Sequence, residues 1–412
     1  MRPVRRLLLA GLVLPALAGC GGGGGGNATE AAKTHTLEIA VIAPFSRESY
    51  LGNTIAQGSE LGVKRVAIPV GSQFYSFKIV RYDNAASASR AVAATRRAIA
   101  AHAVAIVTDG TGVDASWKLA ADAGIPICVV YDGDEGLIEP EKRPNVFRIA
   151  PTNHGLAFRL AEYVIPKGLK LALLTDDTGY GRGGRRSLDK AFAENQSSVV
   201  ARIQIPSSAT DLAPQILQAR HAHATGLIVW AQPAAIAETL IAARSAGWKV
   251  PVFTPPAGED PLVRQELAGH PTWVDGLTFA SGRMTAEKGP VPFLAFQGAY
   301  TTAFGAQKVG VKGPGGSPVT QPPDYAMYPY DFVRLLATAI RSAQSLDGAS
   351  VISALNQVSV EGANGDQRGF NERAHEGVVD DDVYFGRFEG MTYAPVKDDP
   401  LSATLPTIAQ GG

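Results

Sequence analysis

The stretch LALLTDDTGYGRGG, residues 171–184, joins an apolar run to two aspartates and to glycines 179, 181 and 184 at G-x-G-x-x-G spacing. In a strand–turn–helix unit that spacing lets a backbone wrap a pyrophosphate. Such chemistry also needs an acid at the end of the next strand to hold a ribose. The next strand, VVARIQIPSSATD, closes on Ile205-Pro206-Ser207-Ser208, and its first acid, Asp211, lies beyond it. Tyr180 also projects from the turn that would have to hug the phosphates. A dinucleotide is therefore not expected, and no cofactor is expected at all. The chain carries no G-x-S-x-G elbow, no G-x-x-x-x-G-K-[ST] loop, no C-x-x-C and no H-E-x-x-H. Its seven histidines are scattered. His221 and His223 stand two apart on a predicted helix and point away from each other. No spacing singles out a carboxylate pair for acid–base work. An enzyme is not expected, and no metal site is expected.

The elements that carry these residues repeat one theme. TLEIAVIAPF, QFYSFKIVRYDNA, AVAIVTDG and IPICVVYD read as strands separated by the helices YLGNTIAQGSELGVKRVA, SASRAVAATRRAIAAH and VDASWKLAADAG. After the extended NVFRIAPTN the theme restarts. LKLALLTDD, SVVARIQIP, TGLIVWAQ, VPVFTPPAG and VDGLTFASG alternate with helical segments. Short apolar runs alternating with helices of about three turns imply crossover connections and parallel sheets. The fold class expected is α/β, with two doubly wound parallel-sheet lobes. The segment 290–358 reads as mostly helical, interrupted by GVKGPGGSPVTQPPD, which is expected to be a mobile loop. GDQRGFNERAHEG and DDVYFGRFEGMTY read as a hairpin pair.

The N-terminus reads MRPVRRLLLAGLVLPALAGC. Three arginines precede an apolar run too short to span a bilayer and of signal-peptide length. Small residues before Cys20 suit cleavage there and lipidation of the thiol. Gly21 to Gly26 and the polar residues after them cannot bury a core and should form a tether. Loss of residues 1–19 takes Arg2, Arg5 and Arg6 from the 38 basic residues, leaving 35 against 38 acidic. That near-neutral balance offers no basic field for nucleic acid. The remaining cysteine, Cys128, sits in an apolar strand and reads as a buried, inert thiol. A chain of 412 residues exceeds one core, so two lobes are also expected from length.

With two such lobes the carboxyl ends of the strands face a shared cleft, where ligands bind. Tyr50, Tyr131 and Tyr180 each follow a predicted strand end and are candidate ligand contacts. Thr111 is placed to cap the helix VDASWKLA, and with Gly112 it would aim N–H groups at an anion. Trp117 lies inside that helix and reads as core. Glu259 and Asp260 read as acids at the start of the helix PLVRQELAG.

On IAVIAPFS…YLGNTIAQGSELGV, VTDGTGVDASWKLAADAGIPI, VFRIAPTN, LALLTDDTGYGRGGRRSLDKAF, LIAARSAGWKVPVFTPPAG, YPYDFVRLLATAI and GDQRGFNE, the chain resembles a known family. These are the branched-chain amino acid (leucine/isoleucine/valine) binding proteins, type I periplasmic solute-binding proteins of ABC importers. The resemblance implies three crossings between lobes, near Ala150, Ser281 and Val360. It also implies the division 1–19 signal, 20–35 tether, 36–150 with 282–358 as lobe 1, 151–281 with 359–395 as lobe 2, and 396–412 a disordered tail. Carried over by position, the ligand-binding residues are Tyr50, Thr111, Gly112, Tyr131, Asp132, Gly133, Tyr180, Gln232 and Glu259. Two departures stand out. Asp132-Gly133 replaces a threonine, and Ala257 occupies the place of the acid that holds the ligand ammonium, with Glu259 two residues on. A carboxylate at Asp132 disfavours an anionic group beside it and favours an amine or hydroxyl. The expected function is capture of a small polar solute, an amino acid or related compound, for the permease subunits of an ABC importer. The protein would be extracytoplasmic and anchored to the membrane through lipid on Cys20. The alternative is a receptor domain that signals occupancy to a membrane partner.

Overall fold

The computed structural model describes residues 34–64, 66–284, 291–378 and 383–404. The signal segment, Cys20, the tether up to residue 33 and residues 405–412 lie outside the described residues. The first lobe begins with β1 (Thr34–Ala43), α1 (Ser49–Val63), β2 (Ile68–Val70), β3 (Gln73–Asp83), α2 (Ala88–Ala100), β4 (Ala105–Thr108), α3 (Val113–Asp122), β5 (Ile127–Val129) and β6 (Val146–Arg148). The second follows with α4 (Asn153–Val164), β7 (Leu171–Asp176), α5 (Gly179–Glu194), β8 (Ala201–Ile205), α6 (Ala213–His221), β9 (Gly226–Trp230), α7 (Pro233–Ser245), β10 (Val252–Thr254), α8 (Pro261–Glu266) and β11 (Leu277–Met284). Then come α9 (Val291–Phe304), β12 (Gln307–Lys312), β13 (Pro318–Gln321), α10 (Met327–Ala343), α11 (Gly348–Leu355), β14 (Ser359–Glu361), β15 (Gln367–Gly369), β16 (Val383–Glu389) and β17 (Thr392–Pro395).

Two separate sheets result, as the alternating pattern requires. One has the order β2-β3-β1-β4-β5-β6, and the other β17-β16-β11-β10-β9-β7-β8. From β3 to β6 the first sheet is parallel, with β2 antiparallel at its edge. The second is parallel from β8 to β11, and β16 and β17 add an antiparallel edge. Successive residues point to opposite faces, so a strand apolar at every position is buried on both. In β1, Ile39, Val41 and Ala43 join one core while Ala40 and Ile42 join the other. In β7, Ala172 and Leu174 face one core, Leu171 and Leu173 its opposite. Helix starts follow the sequence. Thr152 accepts from Gly155 N at α4, Thr178 from Gly181 N at α5, and Asp347 from Ser350 N at α11.

The G-x-G-x-x-G glycines have packing duties. A Cβ on Gly181 would lie 2.3 Å from Asp176 Oδ1 and 2.4 Å from its carbonyl oxygen. A Cβ on Gly184 would lie 2.3 Å from three atoms of the fully buried Trp230 indole. Helix α5 thus closes onto β7 and β9 only because these positions lack side chains.

Several regions differ from expectation. GVKGPGGSPVTQPPD is not a loose loop. It contributes to the β12–β13 hairpin, whose Val309, Val311 and Val319 bury in the core of the second lobe. Residues 359–378 do not join the second lobe. Ala363, Phe370 and Val378 bury in the first core, and Arg368 of β15 ion-pairs with the fully buried Asp331 of α10 at 3.3 Å. The chain enters the second core from Val383. Val360, expected at a crossing, pairs with Arg368 inside the β14–β15 hairpin. Residues 396–404 are ordered by partners the local sequence does not reveal. Val396 and Ser402 are buried, and Asp399 pairs with Arg159 of α4 at 3.2 Å. Thr34 and His35, assigned to the tether, pair with β3.

Replacing Gly184 by Ala should cost about 1–3 kcal/mol, because the indole beneath it has no room to move. Urea unfolding of wild type and G184A measures this. An unchanged midpoint would show that α5 does not rest on Trp230.

Candidate functional site

Loops at the carboxyl ends of β1, β4 and β5 meet loops at the carboxyl ends of β7, β9 and β10. Tyr50 opens α1, and its hydroxyl accepts from Gln321 Nε2 at 2.8 Å and donates to Gln307 Oε1 at 3.3 Å. Tyr131 follows β5, and its ring meets that of Tyr325 edge-on at 5.2 Å. Tyr180 sits in the first turn of α5, its ring 6.0 Å from that of Trp230. The hydroxyls of Tyr131, Tyr180 and Tyr325 interact electrostatically with one another. Glu259 acts on Tyr50, Tyr131 and Tyr325 alike. Tyr50, Tyr131, Tyr180 and Glu259 are therefore brought together, although they lie on four segments of two lobes.

The remaining expected residues do other jobs. The Thr111 hydroxyl donates to Asp109, whose second oxygen accepts from Asn84 Nδ2 at 2.7 Å. Its proton is therefore engaged within its own loop. Gly112 takes φ +74°, and its Cβ direction meets Ala88 and Ala91 of α2. Gly133 packs on Asn153 and Pro151, where a Cβ would lie 2.6 Å from Asn153 N. Gln232 precedes the first turn of α7 without a side-chain capping bond, and its backbone N–H donates to Asp176 Oδ2 at 2.7 Å. Asp132 is half-buried, with Oδ1 accepting from Asp134 N at 2.9 Å. Trp117 is half-buried with Arg143 over its ring. His221 and His223 are exposed. Burial pushes the Cys128 thiol well above its ordinary range.

The structure adds residues that sequence reasoning missed. Glu48, two positions before Tyr50, interacts with Asp109 of its own lobe and Asp260 of the other. An acid so close to an aromatic candidate was the available signal. Tyr325 is 5% exposed in the short turn between β13 and α10. Arg264 of α8 is fully buried, donating to the Met391 carbonyl at 3.1 Å and to Gln321. Gln321 therefore links Tyr50 of one lobe to Arg264 of the other. On the opposite flank Asp134 pairs with Arg186 of α5 at 3.3 Å.

A cavity of about 490 Å³ lined by Tyr163, Lys167, Phe253 and Arg387 lies at the amino ends of β10 and β11, away from these residues. Two of its charged side chains are already engaged. Lys167 binds Asp398 at 2.7 Å and Arg387 binds Glu389. It offers less chemistry than the seam between the lobes.

Burial crowds carboxyl groups at that seam. The Glu48 carboxyl is pushed from 4.5 to about 7, first by desolvation and then by Asp109 and Asp260. Desolvation raises Asp132 and Asp260 to about 6 each. A carboxyl whose folded pKa is raised keeps its proton in the native state while the unfolded chain ionises. Stability is then fully present below the unfolded value and falls as pH rises through the folded one. Melting temperature should accordingly drop between pH 4.5 and pH 7. Glu48→Gln should flatten that slope and raise the melting temperature at pH 8 by roughly 2 °C. A wild type that gains stability across this range would show that these carboxyls are solvated.

The chain matches the family model described as periplasmic binding protein over residues 36–392. No curated protein matches it. Solved structures share its fold. A type 1 periplasmic binding protein from Bordetella pertussis Tohama I is 19% identical, with 89% of this chain and 98% of that one aligned at a TM-score of 0.74. A leucine binding protein from Thermotoga maritima MSB8 is 18% identical, covering 87% and 97% at 0.72. An ABC transporter solute binding protein from R. palustris, in complex with 4-hydroxybenzoate, is 18% identical, covering 86% and 93% at 0.69. Among the described residues no helix is long and apolar enough to cross a membrane. By the extent of the family match and the two-lobed fold, this chain belongs to the periplasmic binding protein family.

Proposed function

We propose that this chain captures a small polar solute outside the cytoplasm and delivers it to an ABC importer, held at the membrane by lipid on Cys20. The observation that carries the capture reading is the meeting of Tyr131 and Tyr325 with Tyr180 and Glu259, contributed from both sides of the seam. A site divided between two bodies is complete only when they close, so occupancy and shape are coupled. Among the described residues the lobes would pivot on the segment 149–152, which leads from β6 into α4. Asp134–Arg186 and the Tyr50–Gln321–Arg264 chain would hold the closed form. Family membership and the N-terminal pattern support the importer and the anchor. The relatives named above include binders of leucine and of a hydroxybenzoate, so fold alone does not choose the solute.

Native mass spectrometry of protein purified from its own host should retain one small molecule per chain, released unchanged on denaturation. A molecule returned chemically altered would overturn capture in favour of catalysis. Tyr180→Ala should weaken retention by roughly tenfold or more, as loss of a buried aromatic contact does. Cys20→Ser should move the protein from the membrane fraction to the soluble one. If C20S stays membrane-bound, the anchor is not at that thiol.

A further inference from the structure

Capture, the reading on which this rests, needs a cleft loop held in one shape before the solute arrives. The loop 131–135 follows β5 and carries Tyr131, Asp132 and Gly133. Three successive carbonyls of its backbone are bound. Arg148 Nη1 donates to the Asp132 carbonyl at 3.2 Å and to the Asp134 carbonyl at 2.8 Å. Between them the Gly133 carbonyl accepts from Asn153 N at 2.7 Å. Arg148 ends β6 on the first lobe, and Asn153 opens α4 on the second. The second lobe also grips side chains of the loop. His154 N donates to Glu135 Oε1 at 2.6 Å, and Arg186 pairs with Asp134 at 3.3 Å.

Arg148 can serve the loop because its charge is answered from another segment. Its side chain is fully buried, and a guanidinium out of water needs a counter-charge. Glu376 supplies one in a bidentate pair, accepting from Nε at 2.8 Å and from Nη2 at 2.6 Å. Nη1 is left for the two carbonyls. Backbone pairing along the edge of β6 delivers the acid. Arg148 N donates to the His375 carbonyl at 2.8 Å, and Gly377 N donates to the Arg148 carbonyl at 2.7 Å. The His375 ring stacks on Phe147 at 4.2 Å, with its Nδ1 2.8 Å from the Val146 carbonyl oxygen. These bonds do not involve the Glu376 carboxylate, so a change of that side chain leaves the segment in place.

We propose that Glu376 is a positioning residue for capture: by pairing with Arg148 it fixes the Asp132 and Asp134 carbonyls, and with them the loop that begins at Tyr131. Glu376 acts through the guanidinium and touches no solute. Without the acid, Arg148 loses its reason to stay buried, and the two carbonyls lose their donor.

Hydrogen exchange on the purified chain reads the loop, because the amides of Asp132, Asp134 and Gly136 are all bonded. Glu376→Gln should speed exchange in a peptide covering 131–136 by about tenfold, while peptides from β7 and β9 keep the wild-type rate. The molecule that co-purifies should also be lost about tenfold faster on dialysis, followed by native mass spectrometry. Glu376→Asp keeps the charge on a side chain one methylene shorter. It should fall between wild type and Glu376→Gln, and it carries the test if the latter does not fold. Asp331→Asn unpairs Arg368 in the same lobe and controls for lost stability alone; it should leave both readings unchanged. Wild-type exchange in 131–136 across the folded Glu376 variants would overturn the proposal. Equal acceleration in every peptide, or a loosened loop with undiminished retention, would overturn it too. A wild-type chain that carries no molecule would tell against capture itself, and exchange would still decide whether Glu376 holds the loop.

Discussion

Glu48 and Asp260 lie on loops of different lobes, both half-buried, and Asp260 raises the Glu48 pKa. Such an arrangement carries an electrostatic cost where the two lobes meet. The cost exists because doubly wound sheets present the carboxyl ends of their strands to a common crevice, and the loops there carry the acids. Proton uptake relieves it, so the same crowding sets the response to pH.

A second constraint is steric. Helix α5 carries Tyr180 close over β7 and β9, and Gly181 and Gly184 permit that approach over Asp176 and Trp230. Nucleotide-like spacing thus arises here from helix–sheet packing. The β12–β13 hairpin adds a polar strap. Gln307 donates to Thr54 of α1 at 2.9 Å, while Gln265 of α8 donates to the Val309 carbonyl at 2.6 Å. It joins the lobes beside Tyr50 and sets the position of that hydroxyl.

Tyr50, Tyr131 and Tyr180 could be named from the sequence because each follows a predicted strand end, and strand ends can be counted along the chain; Glu259 could be named only by its position in the family resemblance. Thr111 and Gly112 stood at an equally regular place, yet Asp109 and α2 claim them. Tyr325 was not legible, because the Gly/Pro-rich stretch before it gave no sign of folding back as a hairpin. Glu48 and Asp260 were visible as acids, but their mutual approach depends on how the lobes meet.

The sequence by itself determined the alternation of strands and helices, and with it two parallel sheets buried on both faces. Those features follow from hydrophobic periodicity within a dozen residues, where neighbours in sequence are neighbours in space. Only the tertiary structure decided which acids share the seam, that residues 359–378 pack on the first lobe, and that Val396 to Thr404 fold against α4 and β16. These outcomes join residues up to some 240 positions apart. They rest on burial and charge compensation between surfaces that exist only once both sheets have formed.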